Sequence, residues 1–309
     1  MNRFDELTAF VKVVEAGTFT AAAAQMGVAK SAVSRRIADL ESRLGAQLFR
    51  RTTRKLSLTD SGRGLYERGK RILEDLEEAE ARVSSAQDEL RGRLRMALPM
   101  SFGLRHLSPA LCDFGNRHPG IDFDIDFNDR RTDLMLEGFD LAVRIGRLED
   151  SSLIAKRLFD ARTVVCASPS YLDKHGTPET PEDLTHHSIL IYSNVSDSGQ
   201  WTYRDASGAR HRIKLPVVLR ANSGEYLAEA AEAGWGIVLQ PTFIAHEKIA
   251  SGDLVPILKG YSWPISPAYA IYPQTRHLSQ RVRAFIDFLA ERFSGTPYWD
   301  RQIRECAKG

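Results

Sequence analysis

The stretch Phe19-Thr-Ala-Ala-Ala-Ala-Gln-Met-Gly-Val-Ala-Lys-Ser-Ala-Val-Ser-Arg-Arg-Ile-Ala-Asp-Leu-Glu-Ser-Arg-Leu-Gly45 reads as two helices joined by a tight turn. Ala21 to Met26 is a short alanine-rich helix, and Gly27 supplies the turn, because a positive φ carries no Cβ penalty at glycine. A second helix follows from about Lys30 to Leu44. A helix pair closed by a glycine turn is a helix-turn-helix, whose second helix fits a DNA major groove. That second helix has two faces. Val33, Ile37, Leu40 and Leu44 share helical spacing and are expected to pack inward. Lys30, Ser31, Ser34, Arg35 and Ala38 lie opposite, and Arg and Ser side chains suit base edges and phosphates.

Downstream, Phe49-Arg-Arg-Thr-Thr-Arg-Lys-Leu56 predicts a basic hairpin, or wing, with Arg54 near its tip and a minor groove in reach. A helix-glycine-helix in an all-α core and a merely solvated basic face are the competing readings. The conjunction of tight turn, two-faced helix and a wing with four cations in six residues favours DNA. Charge agrees. Residues 1–58 hold ten Lys/Arg against five Asp/Glu, a net +5, which leaves −3 for the rest of a chain whose total is +2. A basic head on a near-neutral body points to a polyanion partner for the head alone.

These residues also carry a family resemblance. Leu7-Thr-Ala-Phe-Val-Lys-Val-Val-Glu-Ala-Gly-Thr-Phe19, the helix-turn-helix, Leu40-Glu-x-x-Leu-Gly-x-x-Leu-Phe-x-Arg-Thr-x-Arg54 and Leu58-Thr-x-x-Gly62 resemble the LysR-type bacterial transcriptional regulators. The likeness extends over the whole chain in length and order. Two positions depart from the pattern. Ala29 stands where a Ser cap is common, at a cost of about 1 kcal/mol of helix stability, and Lys30 where Gln is common. The expected DNA contacts are Thr20, Lys30, Ser31, Ser34, Arg35, Arg36, Arg50, Arg51 and Arg54.

Thr59 is a good cap for a long helix running to about Leu90. Leu65, Gly69, Ile72, Leu76, Ala79, Val83, Ala86 and Leu90 step by fours and threes, a heptad seam on an otherwise polar helix. One side of a monomer's own core is the alternative reading. The narrow stripe favours a partner helix, so a homodimer is expected, matched to the two half-sites of an interrupted inverted repeat in double-stranded DNA. The resemblance implies a homotetramer, and RNA polymerase is a further candidate partner. Gly92 is expected to break the helix and begin a linker.

From Arg93 strand and helix patterns alternate. Strands are expected at 94–98, 121–127, 140–145, 153–158 and 163–167, and helices at 104–117, 132–137, 223–233, 242–250 and 279–293. Such alternation predicts α/β units with mostly parallel sheets. About two hundred residues of it exceed one small sheet, so two lobes are expected, with crossings near Arg162 and Pro267. The fold class expected is an all-α N-terminal winged helix-turn-helix (1–58), a linker helix (59–91), and a C-terminal α/β domain (92–309). Lobe 1 of that domain takes about 92–162 and 268–309, and lobe 2 about 163–267. The resemblance implies that the domain is periplasmic-binding-protein-like and binds an effector.

In open α/β sheets ligands bind beyond the carboxyl ends of strands. That rule, with the resemblance for the cleft between lobes, nominates Ser101, Phe102, Asn128, Arg144, Gly146, Ser193, Asn222, Ser223 and Gly236. Each has a structural alternative: Ser101 and Ser223 as helix caps, Asn128 as an Asx turn, Arg144 as an ion-pair partner of Asp129 or Asp150. Ser101 and Arg144 suggest an anionic co-inducer. No cofactor is expected.

The sequence carries no Gly-x-Gly-x-x-Gly, P-loop, His-Glu-x-x-His or Gly-x-Ser-x-Gly, so an enzyme is not expected. Cys112, Cys166 and Cys306 are too scattered for a disulfide framework, and the histidines too dispersed for a metal site. The N-terminus opens directly on an amphipathic helix (Phe4, Leu7, Phe10, Val11, Val14) without a signal peptide, and no apolar run reaches membrane-spanning length. A cytoplasmic protein with no membrane partner is expected.

Overall fold

The computed structural model describes residues 2–51, 56–84, 90–130, 132–148, 153–194, 199–274 and 278–306. The chain divides into two compact units, Met1–Gly92 and Arg93–Gly309.

The first unit is helical with a two-stranded wing. Helix α1 (Arg3–Ala16) is capped by Asn2, α2 (Phe19–Gln25) by the Thr18 hydroxyl, and α3 is Lys30–Leu44. Gly27, at φ 65°, makes the turn between α2 and α3. As Ala29 implies, α3 has no side-chain cap. Phe10, Val13, Val33 and Ile37 are fully buried, with Leu40 and Leu48 nearly so. Leu44, expected inward, is 44% exposed instead. It sits on the last turn before Gly45, beyond the edge of the core, and Glu41 takes the inward slot. Strands β1 (Phe49–Arg51) and β2 (Leu56–Leu58) pair antiparallel with Phe49 opposite Leu58.

Helix α4 spans Asp60–Ser84, started by Thr59, whose hydroxyl accepts from the Gly62 N–H at 2.9 Å. The helix end expected near Leu90 falls on 85–89, outside the described residues, and Leu90 itself is not helical. The start of the heptad seam is also reassigned. Leu65 of the seam packs on the core of this same unit, and a Cβ at Gly69 would stand 2.6 Å from Leu7; Leu73, outside the seam, joins the same core. Ile72 is 49% exposed, and Leu76, half-buried, is not part of that core. The side chains of Ala79, Val83 and Ala86 lie outside the described residues. Gly92 begins no linker; with φ 101° it is the second residue of β3 (Arg91–Leu98).

The second unit holds two mixed five-stranded sheets. Lobe 1 contains β3, β4 (Gly120–Phe127), β5 (Leu141–Ile145) and β6 (Leu153–Ala161). Between its strands run α5 (Met100–Phe102), a π-helical turn (Gly103–Leu107), α6 (Ser108–Arg117) and α7 (Leu134–Glu137). The chain crosses at Arg162 into lobe 2. Its strands are β7 (Thr163–Ala167), β8 (Ile189–Tyr192), β9 (Gln200–Arg204), β10 (Arg210–Lys214), β11 (Val217–Ala221), β12 (Ile237–Pro241) and β13 (Val255–Ile257). Its helices are α8 (Pro169–His175), α9 (Gly224–Glu232) and α10 (Thr242–Ser251). Strand β14 (Ser266–Pro273) returns to lobe 1, followed by α11 (Gln280–Arg292) and α12 (Tyr298–Cys306).

Strand orders are β4-β3-β5-β14-β6 and β11-β8-β12-β7-β13. The expectation of mostly parallel sheets is corrected. β3 with β5, and β8 with both β11 and β12, are parallel, whereas β7, β13, β14 and β6 pair antiparallel. Strands that step directly from one lobe to the other need no helical crossover, so they enter antiparallel. Residues of lobe 2 alternate between two cores: Val165, Ile189 and Ile237 face one, Cys166, Leu190 and Val238 the other. The sheet is therefore covered on both faces.

Two helical details also differ from expectation. The helix expected over 104–117 opens with a π turn. Pro109 cannot donate to the carbonyl four residues back and its ring crowds it, and the Gly103 carbonyl accepts instead from the backbone N–H and hydroxyl of Ser108. Residues 298–306, expected in lobe 1, dock on lobe 2. Ile303 packs with the core beneath α9 and α10, and the buried Asp300 accepts from the Thr242 hydroxyl at 2.6 Å.

Candidate functional site

The first candidate surface is the exposed face of α3. Thr20, Lys30, Ser31 and Arg35 are exposed, while Ser34 and Arg36 are half-buried. Burial of Val33, Ile37 and Leu40 sets the rotation of the helix, so these polar side chains share the outward side. Arg50 is exposed on β1. The side chain of Arg51, and Arg54 altogether, lie outside the described residues. Two acidic groups missed by the sequence reading hold this surface in place. The buried Glu6 of α1 accepts from Arg43 of α3 at 2.6 and 3.0 Å. Glu41, 6% exposed, accepts the backbone N–H groups of Leu48 at 2.7 Å and Phe49 at 3.3 Å. The second contact ties the wing to the helix that precedes it.

The second candidate is a cavity of about 430 Å³ between the two lobes of the second unit. Carboxyl ends of strands converge on it: β3 leads to Ser101 and Phe102, β5 presents Arg144, β8 ends at Tyr192, and β12 ends at Gln240 and Pro241. Aromatic and aliphatic groups (Phe102, Ile191, Trp201, Leu239, Phe243) form most of the wall, with a few convergent polar groups, as ligand pockets usually have.

Arg144 is the cation of this cavity. Its guanidinium donates to the Thr132 hydroxyl at 2.8 Å and to the Val143 and Asn128 carbonyls at 3.3 and 3.5 Å. Burial pulls its pKa below the ordinary guanidinium range, against the pull of Asp129; it stays charged nonetheless. Asp129 accepts the Met100 N–H at 3.1 Å and faces Tyr192 of the other lobe. Burial first, and Asp129 second, push the Tyr192 phenol well above its usual range, so it remains a hydroxyl donor. Gln240, 1% exposed, donates to the Gly224 carbonyl at 2.8 Å. A Cβ at Gly224 would stand 2.5 Å from Ile244 and 3.8 Å from the Ser101 hydroxyl, so the lobes approach closely at a residue with no side chain.

Of the nominated effector residues, Ser101, Phe102 and Arg144 line the cavity. The others do not, for identifiable reasons. Asn128 turns its side chain toward Thr132 and its carbonyl toward Arg144, behind the cavity rather than in it. Gly146 donates to the Pro267 carbonyl at the strand edge. Ser193 closes β8 through the Ala221 carbonyl, and its neighbour Asn194 reaches the cavity instead. Asn222 is exposed, and Ser223 caps α9 by accepting the Tyr226 N–H. Gly236 precedes β12 and so lies at its amino end, where a Cβ would meet the Ser188 carbonyl at 2.3 Å. Asp150 lies outside the described residues. Asp129, Tyr192, Trp201 and Gln240 were missed; their only signal was adjacency to strand ends.

Neither Cys112 nor Cys166 belongs to this cavity. Cys166 is fully buried and its thiol is pushed up to about 12 by burial, whereas Cys112 is exposed on α6. A thiol-alkylating reagent applied to the folded protein is expected to label Cys112 and to spare Cys166 until denaturant is added, as read by peptide mass mapping. Labelling of folded Cys166 would show that β7 opens readily. Among the described residues no cluster of His, Cys, Asp or Glu fits a metal ion, and no single helix is long and apolar enough to cross a membrane.

Comparison with known proteins matches both units. Residues 4–63 match the family described as bacterial regulatory helix-turn-helix protein, lysR family, and residues 87–294 match the LysR substrate binding domain. The chain is 38% identical over 288 residues to the HTH-type transcriptional regulator CrgA of Neisseria meningitidis, covering 93% of this chain and 96% of that protein. It is 37% identical over 283 residues to an uncharacterized HTH-type transcriptional regulator of Haemophilus influenzae, covering 91% and 98%. The CrgA structure superposes with a TM-score of 0.61 at 37% identity, covering 94% of this chain and 99% of that one. Full-length AphB, described as a virulence activator of Vibrio cholerae, superposes with a TM-score of 0.61 at 28% identity, covering 95% and 100%.

Proposed function

The chain belongs to the LysR family of bacterial transcriptional regulators, and from that premise we propose that it reads a specific operator under the control of a small anion held between its C-terminal lobes. The single observation that carries the effector half is Arg144: a mostly buried cation, hydrogen-bonded to uncharged oxygens, in an otherwise largely apolar cavity. A carboxylate would offset the cost of holding that charge out of water. The apolar wall of Phe102, Ile191 and Trp201 would take the ligand's body. Asp129 and Tyr192, which face each other from opposite lobes, would take a hydroxyl or amino group. Ligand binding then favours one lobe spacing over another.

On the DNA side, Lys30, Ser31, Ser34 and Arg35 read base edges, and Arg50, Arg51 and Arg54 position the protein on the backbone and minor groove. A homodimer or homotetramer presents paired heads to an interrupted inverted repeat, and a change of lobe spacing alters the bend between half-sites. Arg35→Ala is expected to cost about 1–3 kcal/mol on the operator and to relax preference at one base pair, whereas Arg50→Ala weakens all sequences alike. Genomic DNA selection followed by footprinting over a salt series measures both. Equal losses on operator and random DNA for Arg35→Ala would remove its base-reading role. Binding that is sequence-blind and lost at moderate salt would overturn the operator reading as a whole.

A further inference from the structure

The cleft between the lobes holds two opposite charges that do not satisfy each other. Arg144 and Asp129 both line it, and both are half-buried. The Arg144 guanidinium spends its three hydrogen bonds on uncharged oxygens, those of the Thr132 hydroxyl and the Val143 and Asn128 carbonyls. A guanidinium has five N–H groups, so two are left without a partner among the described residues. Asp129 is held on its own side by the Met100 N–H at 3.1 Å. Its sequence neighbour Arg130 does not neutralise it, being turned to Asp126 and Glu137.

The two charges are nonetheless close. A nitrogen of Arg144 lies 3.5 Å from the carbonyl of Asn128, the residue before Asp129. Burial is the largest influence on the guanidinium, and the charge of Asp129 is the next. Across the cavity Asp129 faces the Tyr192 hydroxyl, whose oxygen accepts from the Asn194 amide at 3.3 Å. Charges withdrawn from water and held apart by neutral groups leave a solvation cost that neither recovers from the other. A simple anion would meet Arg144 alone and bring a second negative charge toward Asp129. A hydroxy acid would give Asp129 a hydrogen bond but no countercharge. An ammonium group brings a positive charge and three N–H donors, enough for the Asp129 carboxylate and the Tyr192 oxygen together.

We propose that the effector of the cleft is an α-amino acid with a large apolar side chain, bound as its zwitterion. Its carboxylate takes the remaining N–H groups of Arg144, its ammonium donates to Asp129 and Tyr192, and its side chain lies against Ile191, Trp201 and Leu239. Arg144 and Asp129 belong to lobe 1 and Tyr192 to lobe 2, so the ammonium is the group that bridges the lobes and ties occupancy to their spacing. This inference rests on Arg144 as the receptor for a carboxylate and adds the second charge to that reading.

Calorimetric titration of the full-length protein with L-leucine, L-phenylalanine and L-tryptophan tests the proposal, each paired with its 2-hydroxy and its desamino acid. At least one amino acid is expected to bind, and at least tenfold more tightly than its two analogues. Asp129→Asn keeps an acceptor for the Met100 N–H and removes the charge. It is expected to weaken that amino acid about tenfold while the desamino acid binds unchanged or more tightly. Tyr192→Phe keeps the ring and removes the oxygen; it is expected to weaken the amino acid selectively and serves where Asp129→Asn does not fold. Arg144→Gln is expected to weaken all three ligands of the series. Analogues that bind as tightly as the amino acid overturn the zwitterion and leave the anion reading in place. So does amino-acid binding that neither Asp129→Asn nor Tyr192→Phe alters, or that falls in step with the desamino acid. Binding unmoved by Arg144→Gln overturns the anion reading and this proposal with it. No binding by any of the three amino acids overturns the proposal outright, while the desamino acids still decide the anion reading.

Discussion

Replacing Phe102 with alanine is expected to destabilise the C-terminal unit by about 3–5 kcal/mol, the usual cost of emptying a large buried aromatic site. The ring is fully buried and touches Phe159, Phe243 and Phe293 at centroid distances of 4.8, 5.3 and 5.4 Å. Those partners come from β6, α10 and the end of α11, so a single side chain fills the junction between lobes. Neighbouring rings are held by the same cluster, which limits collapse into the hole, so the loss belongs at the upper end of the range. Phe102→Leu keeps much of the volume and is expected to lose less than half as much. Urea denaturation followed by tryptophan fluorescence measures both. A loss below about 1 kcal/mol for Phe102→Ala would mean that the junction repacks freely. Because Phe102 also lines the cleft, effector affinity is expected to fall in the same variant.

How far the sequence discloses this architecture depends on the distance over which a residue's environment is decided. Val33, Ile37 and Leu40 are buried as their spacing implies, because one helix and its immediate neighbours settle the matter. Leu44 keeps the spacing and is exposed, because the core ends before it does. The heptad seam shows the same limit: periodicity marks Leu65 and Gly69 as inward-facing but does not say toward what, and they face their own unit's core. Strand ends are legible too, and they place Ser101, Phe102 and Arg144 at the cleft. Gly236 fails because the rule needs the carboxyl end of β12 and it sits at the amino end. Asp129 and Tyr192 were hidden for a different reason. They belong to separate lobes, sixty-three residues apart in the chain, and only the tertiary arrangement brings them face to face. Docking of α12 on lobe 2 was equally hidden, since it is decided by Asp300 and Ile303 finding partners on α10 and its neighbours.

Replacing Glu41 with alanine is expected to destabilise the N-terminal unit by about 3 kcal/mol and to abolish tight DNA binding on every sequence. The carboxylate is buried and accepts two backbone N–H groups, those of Leu48 and Phe49. Removing it leaves both donors unsatisfied in a core where Leu48 and Phe49 are themselves almost wholly buried. Hydrogen bonds to an ionised acceptor are about twice as strong as neutral ones, so Glu41→Gln, which retains an acceptor, is expected to lose roughly half as much. The consequence for DNA follows from position. Glu41 lies on α3 six residues after Arg35, and the N–H groups it holds begin the strand that carries Arg50. It therefore ties α3 to the wing that follows it. Thermal unfolding of the isolated transition, paired with footprinting of operator and random DNA, separates this role from base reading. Loss on both DNAs in parallel is the expected pattern for Glu41→Ala, and operator-selective loss is the pattern for Arg35→Ala. An Ala variant that unfolds as the wild type does would show that the wing finds its place without the carboxylate. In the stretch Leu40-Glu-x-x-Leu-Gly-x-x-Leu-Phe49, the acid thus has a physical reason: it is the acceptor for the turn that its own helix leads into.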